Sequence, residues 1–311
     1  MKLYDLHQDL MSHIRFRDTI GQTQQTDFES LEASVVDLVI ATAFPLPEDE
    51  SQTNPKVHDL ISEELAMYIT ALQTLPSWQL VRTKEDLQSD KKKLLLHIEG
   101  LNIFSGSSAD WEQLESWYKQ GVRSIATHWN IENLLGGGTD TPTQSLTDLG
   151  AEVILYLEEK SLLFDMAHMG RKTFFDAVRI ATRPLYVSHG NADAVCSSIR
   201  NYTDEQLSCI ARTDGVIGVF FPNTFVVGKD KQGDINDVVA HFVYLKQTIG
   251  IRHIAIGSDF GGIVSGCVAG LDHVSALPIL MQALQVAGFT DTELETISHK
   301  NAKRIIESHL S

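Results

Sequence analysis

Short apolar runs alternate along the chain with longer stretches in which apolar positions recur every three or four residues. The short runs are Leu3–Leu6, Ser34–Phe44, Lys93–Glu99, Val122–His128, Leu162–His168, Leu185–His189, Val216–Phe221 and His253–Asp259. Their near-continuous apolar character predicts eight strands buried on both faces, as in a parallel sheet. Helical periodicity predicts helices over Val57–Leu75, Trp111–Gln120, Thr147–Lys160, Thr173–Thr182, Thr203–Arg212, Ile235–Ile249 and Ala276–Ala287, with Asp291–Ser298 and Asn301–His309 closing the chain. Local signals agree with several of these bounds. Thr203-Asp204-Glu205-Gln206 has the pattern of a capping box, Thr147 can cap a helix start, and Gly121 can end one. Pro45–Pro55 and Gly136–Pro142 read as surface loops.

Strands alternating with helices give βαβ units, and right-handed crossovers lead to a doubly wound sheet or a closed barrel. A count of eight favours a (β/α)8 TIM-type barrel. At 311 residues the chain is long enough for two domains of roughly 150 residues, or for one barrel. No repeat or linker divides it, so a single domain over 1–311 is expected. The net charge of −16 repels phosphate backbones and anionic lipid, which argues against a nucleic-acid or membrane-surface partner. Cys196, Cys209 and Cys267 are too few and scattered for a disulfide framework or a thiolate metal site. With no apolar leader at the N-terminus, the expectation is a cytoplasmic protein. The oligomeric state stays open, with a homodimer the assembly in view.

The ionisable residues fall at telling places. His7 and Asp9 follow the first strand, Glu99 ends the third, and His128, His168 and His189 end the fourth, fifth and sixth; Asp259 ends the eighth. In a barrel all these ends converge on one mouth, where active sites are built. Singly, each has a bland reading: a hydrogen-bonding His, a helix cap at Asp9, a Glu99 paired with an Arg. Together, several buried carboxylates are costly unless they pair or bind a cation. Imidazole nitrogens with carboxylate oxygens suit zinc, and less specifically manganese, iron or cobalt. His7, Asp9, Glu99, His168 and His189 exceed what one catalytic zinc uses. They suit two ions bridged by Glu99, about 3.5–4 Å apart, with a bridging hydroxide as nucleophile. His97 shares the strand of Glu99 and reads as a packed residue one layer deeper. Arg200 precedes a helix and, read alone, could pair with Asp204 at the surface.

These residues in their settings resemble the membrane dipeptidase (renal dipeptidase) family of the amidohydrolase superfamily. The resemblance runs from Asp5-Leu6-His7-Gln8-Asp9 to His299-Lys300-Asn301. Its most specific stretch is Ser188-His189-Gly190, Ala194-Val195-Cys196 and Arg200-Asn201-Tyr202, supported by Gly257-Ser258-Asp259-Phe260 and Phe164-Asp165-Met166-Ala167-His168. The resemblance implies two zinc ions per chain, one on His7, Asp9 and Glu99 and the other on Glu99, His168 and His189. It implies that His128 contacts the substrate carbonyl oxygen, that Arg200 binds the free carboxylate of a dipeptide, and that Asp259 binds its amino group and carries the proton. An Arg fork matches a carboxylate in a bidentate way, and a carboxylate near the nucleophile can shuttle a proton. Departures include Gln8 for the family's usual Asn, expected at an outward-facing position, and Gly261 where a second acid is usual. They bear on the pocket's shape. The expected partner is a dipeptide or similar small amide. Neighbouring alternatives are N-acyl amino acids, D-amino-acid amides or lactones at the same metals, or a metal-dead binding protein on the same barrel.

Overall fold

A computed structural model describes residues 2–11, 25–44 and 57–311; the Pro45–Pro55 loop lies outside the described residues. In chain order the elements begin with β1 (Leu3–Gln8), α1 (Phe28–Ala33), β2 (Val36–Ala43), α2 (Val57–Thr74), β3 (Trp78–Leu80) and β4 (Lys92–Glu99). There follow α3 (Ser108–Gln120), β5 (Val122–Ala126), α4 (Asp148–Glu159), β6 (Leu163–Asp165), α5 (Arg171–Val178), β7 (Tyr186–Val187) and α6 (Asp204–Arg212). The chain ends with β8 (Val216–Val219), α7 (Asn223–Val226), α8 (Ile235–Ile249), β9 (Ile254–Ile256), α9 (Leu277–Val286), α10 (Asp291–Glu295) and α11 (Asn301–His309). They form two compact units. One holds the described residues up to Val39 together with Tyr186–Ile305; the other holds Ile40–Leu185, as far as described, and Ile306–Ser311.

In the first unit β1, β9, β8 and β7 pair in parallel, with Asp5 opposite Ile256, Val219 opposite Ile256, and Val187 opposite Ile217. All six residues of β1 are buried, charged ones included, so the strand is covered on both faces as the apolar runs predict. The strands approach closely at Gly218 and Gly257, where a Cβ would run into the Ser188 carbonyl. Around this sheet, α6 starts with the predicted capping box: Thr203 accepts from the Gln206 backbone and Gln206 answers on Thr203. α8 starts with a second box, between Asp234 and Asp237.

In the second unit β3, β4, β5 and β6 pair in parallel. The register sets Glu99 opposite Ala126 and Ala126 opposite Asp165, so three strands end at one level. One step deeper, His97 stands opposite Ser124. Trp117 on α3 and Phe174 on α5 are fully buried, each a side chain whose burial contributes about 1.5–3 kcal/mol. α3 begins three residues before its predicted start, because Ser107 caps it and forms a box with Asp110.

The strands are shorter than the apolar runs that announce them. β5 stops at Ala126, β6 at Asp165, β7 at Val187 and β9 at Ile256, so His128, His168, His189 and Asp259 lie two or three residues beyond. Hydrophobicity persists past the last ladder bond because the segment stays buried. The pleat cannot persist, since His168 (φ 62°) and Asp259 (φ 68°) are left-handed. Two further expectations are corrected. Residues 136–139, read as part of a surface loop, are buried, because Gly137 and Gly138 let the backbone pack against Thr141 and Asn130. Gln8, expected to face outward, is fully buried and hydrogen-bonded to Asp5 and Thr26. Among the described residues no helix is long and apolar enough to cross a membrane.

Candidate active site

In the first unit, four predicted site residues come together. His7 Nε2 lies 3.4 Å from Asp9 Oδ2 and 3.8 Å from Asp259 Oδ1. Ligand atoms of these three all lie within 4.8 Å of one another, a spacing that can hold a cation. The His189 ring is 4.1 Å from that of His7, centroid to centroid. Space is made by glycine: a Cβ on Gly262 would run into Asp9 Oδ2 and sit 3.0 Å from Asp259 Oδ1. Gly261, at φ 93°, lies against the Asp9 carbonyl, which leaves no room for the second acid usual at that place.

Backbone bonds across the strand ends fix these groups. Asp259 N donates to the His7 carbonyl (3.1 Å) and Asp9 N to the Phe260 carbonyl (2.8 Å). Asp5, which sequence reasoning did not single out, locks the same ends. Its fully buried carboxylate accepts from Ser258 N (2.8 Å), Ser258 Oγ (2.6 Å) and Gln8 Nε2 (2.7 Å). Burial pushes its pKa up, and these hydrogen bonds oppose that shift. The signal was present: an acid inside an otherwise apolar run predicted to be buried on both faces.

Arg200 belongs to the same unit and is 4% exposed. It makes no pair with Asp204, which accepts instead from Tyr244 Oη at 2.8 and 3.0 Å. The guanidinium lies over the Phe220 ring at 5.3 Å, and that ring is 5.6 Å from the His189 ring. Its Nη1 and Nη2 have no hydrogen-bond partner among the described residues. Buried donors are almost always satisfied, and a guanidinium fork without a partner among the described residues can take an acceptor.

The second unit brings together Glu99 and His168, with Glu99 Oε1 3.1 Å from His168 Nε2. Trp129 stacks on the His168 ring at 5.9 Å and also meets the Phe44 ring at 5.4 Å. His128 is fully buried; its Nδ1 is 2.8 Å from Thr127 Oγ1, and its Nε2 lies against the Gly136 backbone. Burial lowers its pKa to about 4, so it is neutral at physiological pH. His97 lies one layer deeper than Glu99 on the same strand. Its Nδ1 bonds Ser124 Oγ at 2.8 Å and its Nε2 lies 3.6 Å from Asp165 Oδ2, a buried pair beneath the site.

Residues 1–310 match the membrane dipeptidase family, peptidase family M19. The chain belongs to that family. It is, by that membership, a metal-dependent dipeptidase. It is 35% identical over 225 residues to an uncharacterized protein from the pqqA 5' region of Klebsiella pneumoniae, covering 69% of this chain and 81% of that one. It is 28% identical over 228 residues to an uncharacterized dipeptidase of Schizosaccharomyces pombe, covering 72% of this chain and 55% of the relative. A metallo peptidase from Rhodobacter sphaeroides, liganded with a phosphinate mimic of the dipeptide L-Ala-D-Ala, superposes with a TM-score of 0.88 at 22% identity over 99% of both chains. Dipeptidase AC, a metallo peptidase of family M19, gives 0.88 at 21% identity over 100% of this chain and 99% of that one. This likeness shows the fold, a (β/α)8 barrel, as the eight apolar runs predict.

The residues fit a divalent metal. Their donors are imidazole nitrogens and carboxylate oxygens, the set that zinc accepts. Asp9 and Asp259 converge on one imidazole nitrogen, an arrangement of like charges that a cation relieves. The imidazoles are held from behind, His189 Nδ1 by Ser188 Oγ at 2.8 Å and His168 Nδ1 by Asn130 Oδ1 at 2.7 Å, which is how metal-binding histidines are oriented.

Proposed function

We propose that this protein hydrolyses dipeptides with a free C-terminal carboxylate, as one catalytic domain holding two zinc ions. His7, Asp9 and Glu99 would hold one ion, and Glu99, His168 and His189 the other. Bound there, zinc supplies Lewis acidity toward the peptide carbonyl and lowers the pKa of water.

The observation that carries this reading is Arg200. Its buried fork, without a partner among the described residues, matches a substrate carboxylate in charge and in geometry. Asp259, beside His7, accepts the proton released as water adds to the carbonyl carbon and passes it to the departing amine. It also offers its charge to the substrate's free ammonium. His128 stays neutral, with Thr127 on Nδ1, so a protonated Nε2 can donate to the carbonyl oxygen. The balance is water added across one C–N bond, giving a carboxylic acid and an amine that ionise to a carboxylate and an ammonium.

The same fork fits an N-acyl amino acid, which also ends in a free carboxylate but lacks the ammonium. A panel of L-L and L-D dipeptides, dipeptide amides and N-acyl amino acids, assayed with added zinc, separates the readings. Dipeptides are expected to be cleaved fastest. Equal rates on dipeptides and their amides would overturn the assignment.

A further inference from the structure

Three histidines of the site have Nδ1 engaged by a neighbouring oxygen, and they reach it in two ways. His128 uses the hydroxyl of Thr127 and His189 that of Ser188, in each case the residue just before. His168 follows Ala167, which has no hydroxyl to offer. Its partner is Asn130, 38 positions earlier in the chain, with Oδ1 2.7 Å from Nδ1.

We propose that Asn130 is a positioning residue that fixes the tautomer and aim of His168 for metal binding; the inference rests on the metal-site reading above. Asn130 Oδ1 also lies 2.8 Å from Thr139 Oγ1, whose hydroxyl can donate to it. The amide therefore presents its oxygen, an acceptor, to His168, and Nδ1 carries the proton. Nε2 is left as a lone pair directed at the side of Glu99, whose Oε1 is 3.1 Å away. A lone pair facing a carboxylate oxygen is the arrangement that a cation between them satisfies.

The backbone is shaped around this contact. Asn130 (φ 32°) and His168 (φ 62°) are both left-handed, a conformation kept where the surroundings enforce it. Thr139 N donates to the His168 carbonyl (3.0 Å) and Asp140 N to the Asn130 carbonyl (2.8 Å). Gly138 bridges to Met169 and packs so tightly on the Asn130 carbonyl that any side chain there would collide. The segment 130–140 is thus fastened to residues 168–169, with the Asn130 amide at its centre. Asn tolerates left-handed φ, and its short amide reaches Nδ1 without displacing the turn.

The test measures zinc affinity of the metal-stripped full chain, by competition with a chromogenic chelator, for wild type, Asn130→Ala and Asn130→Asp. Loss of a partner behind a metal-binding histidine typically weakens affinity about 10–100-fold. Asn130→Ala should therefore show one of two ions weakened to that extent, with the other unmoved. Asn130→Asp keeps an acceptor on Nδ1 and should bind within about threefold of wild type or tighter, by the same reasoning. Melting of the metal-free Ala and Asp variants controls for misfolding. Wild-type affinity in Asn130→Ala, or equal weakness in Asn130→Asp, would overturn the proposal. Wild type that binds no zinc at all would instead overturn the metal-site reading itself.

Discussion

Replacing Arg200 with Met should abolish recognition of the substrate carboxylate while leaving the fold at least as stable. Arg200 is buried, makes no ion pair with Asp204, and offers two terminal nitrogens that have no partner among the described residues. A hydrogen bond to a charged group contributes about 1.5–3 kcal/mol, and truncating one partner of a buried charged contact costs about 2–5 kcal/mol. A two-pronged fork on a carboxylate thus accounts for about 3–4 kcal/mol, or a 100- to 1000-fold fall in kcat/KM. The corresponding dipeptide amide offers no carboxylate, so its kcat/KM should change by less than about threefold, under 1 kcal/mol. Stability moves the other way. Among the described residues the terminal nitrogens of the guanidinium are desolvated with only the Phe220 face beside them, and Met fills similar length without that penalty. Steady-state kinetics on the acid and the amide, with thermal melting of the metal-stripped protein, would read both effects. Equal kinetic losses on the two substrates, or a Tm lowered by many degrees, would refute the reasoning and return Arg200 to a structural role.

Asp259→Asn should lower kcat by about 10²–10⁴-fold with metal content retained, since proton transfer is lost while Asn keeps the shape and tolerates φ 68°. Near-wild-type turnover in a metal-replete variant would defeat the catalytic role. His241 should make stability fall in acid. Burial lowers its pKa to about 4, and its Nδ1 accepts from Ala192 N at 3.2 Å, so the folded protein holds it neutral. The unfolded chain takes up that proton near pH 6.5, so stability is intact above about 6.5 and declines as pH falls toward 4, at about 1.4 kcal/mol per pH unit. Denaturant unfolding at pH 7 and pH 5 should show His241→Asn losing about 2 kcal/mol less than wild type over that interval; parallel losses would contradict it.

The parts of this molecule legible in its sequence are those that repeat a local rule. Eight apolar runs announce a barrel because strands covered on both faces need apolar residues throughout. Thr203 and Gln206 announce a helix start because a capping box is a four-residue event. The candidate site residues stand out in the sequence because a barrel puts its strand ends to use, and the structure brings His7, Asp9, His189 and Asp259 together in one unit and Glu99 and His168 in the other. What escaped depends on chain return. β3 is three residues long and carries no run of its own. Asn130 matters only because segment 130–140 folds back onto residue 168, and Asp5 only because Ser258 arrives beside it. His241 looks like any polar position on α8 until Ala192 and Val226 are seen to occupy both its nitrogens. Strand ends were overrun for a related reason: burial continues past the ladder, while left-handed φ at His168 and Asp259 ends it.

The central claim is that hydrolysis depends on two zinc ions held by His7, Asp9, Glu99, His168 and His189. Titrating the metal-stripped chain with zinc while following hydrolysis of an unblocked dipeptide tests it most directly. Activity should be absent in the stripped protein, rise with added zinc, and level off at two ions per chain. Full activity in protein shown by elemental analysis to carry no metal, or a plateau reached with five intact side chains but no zinc bound, would contradict it.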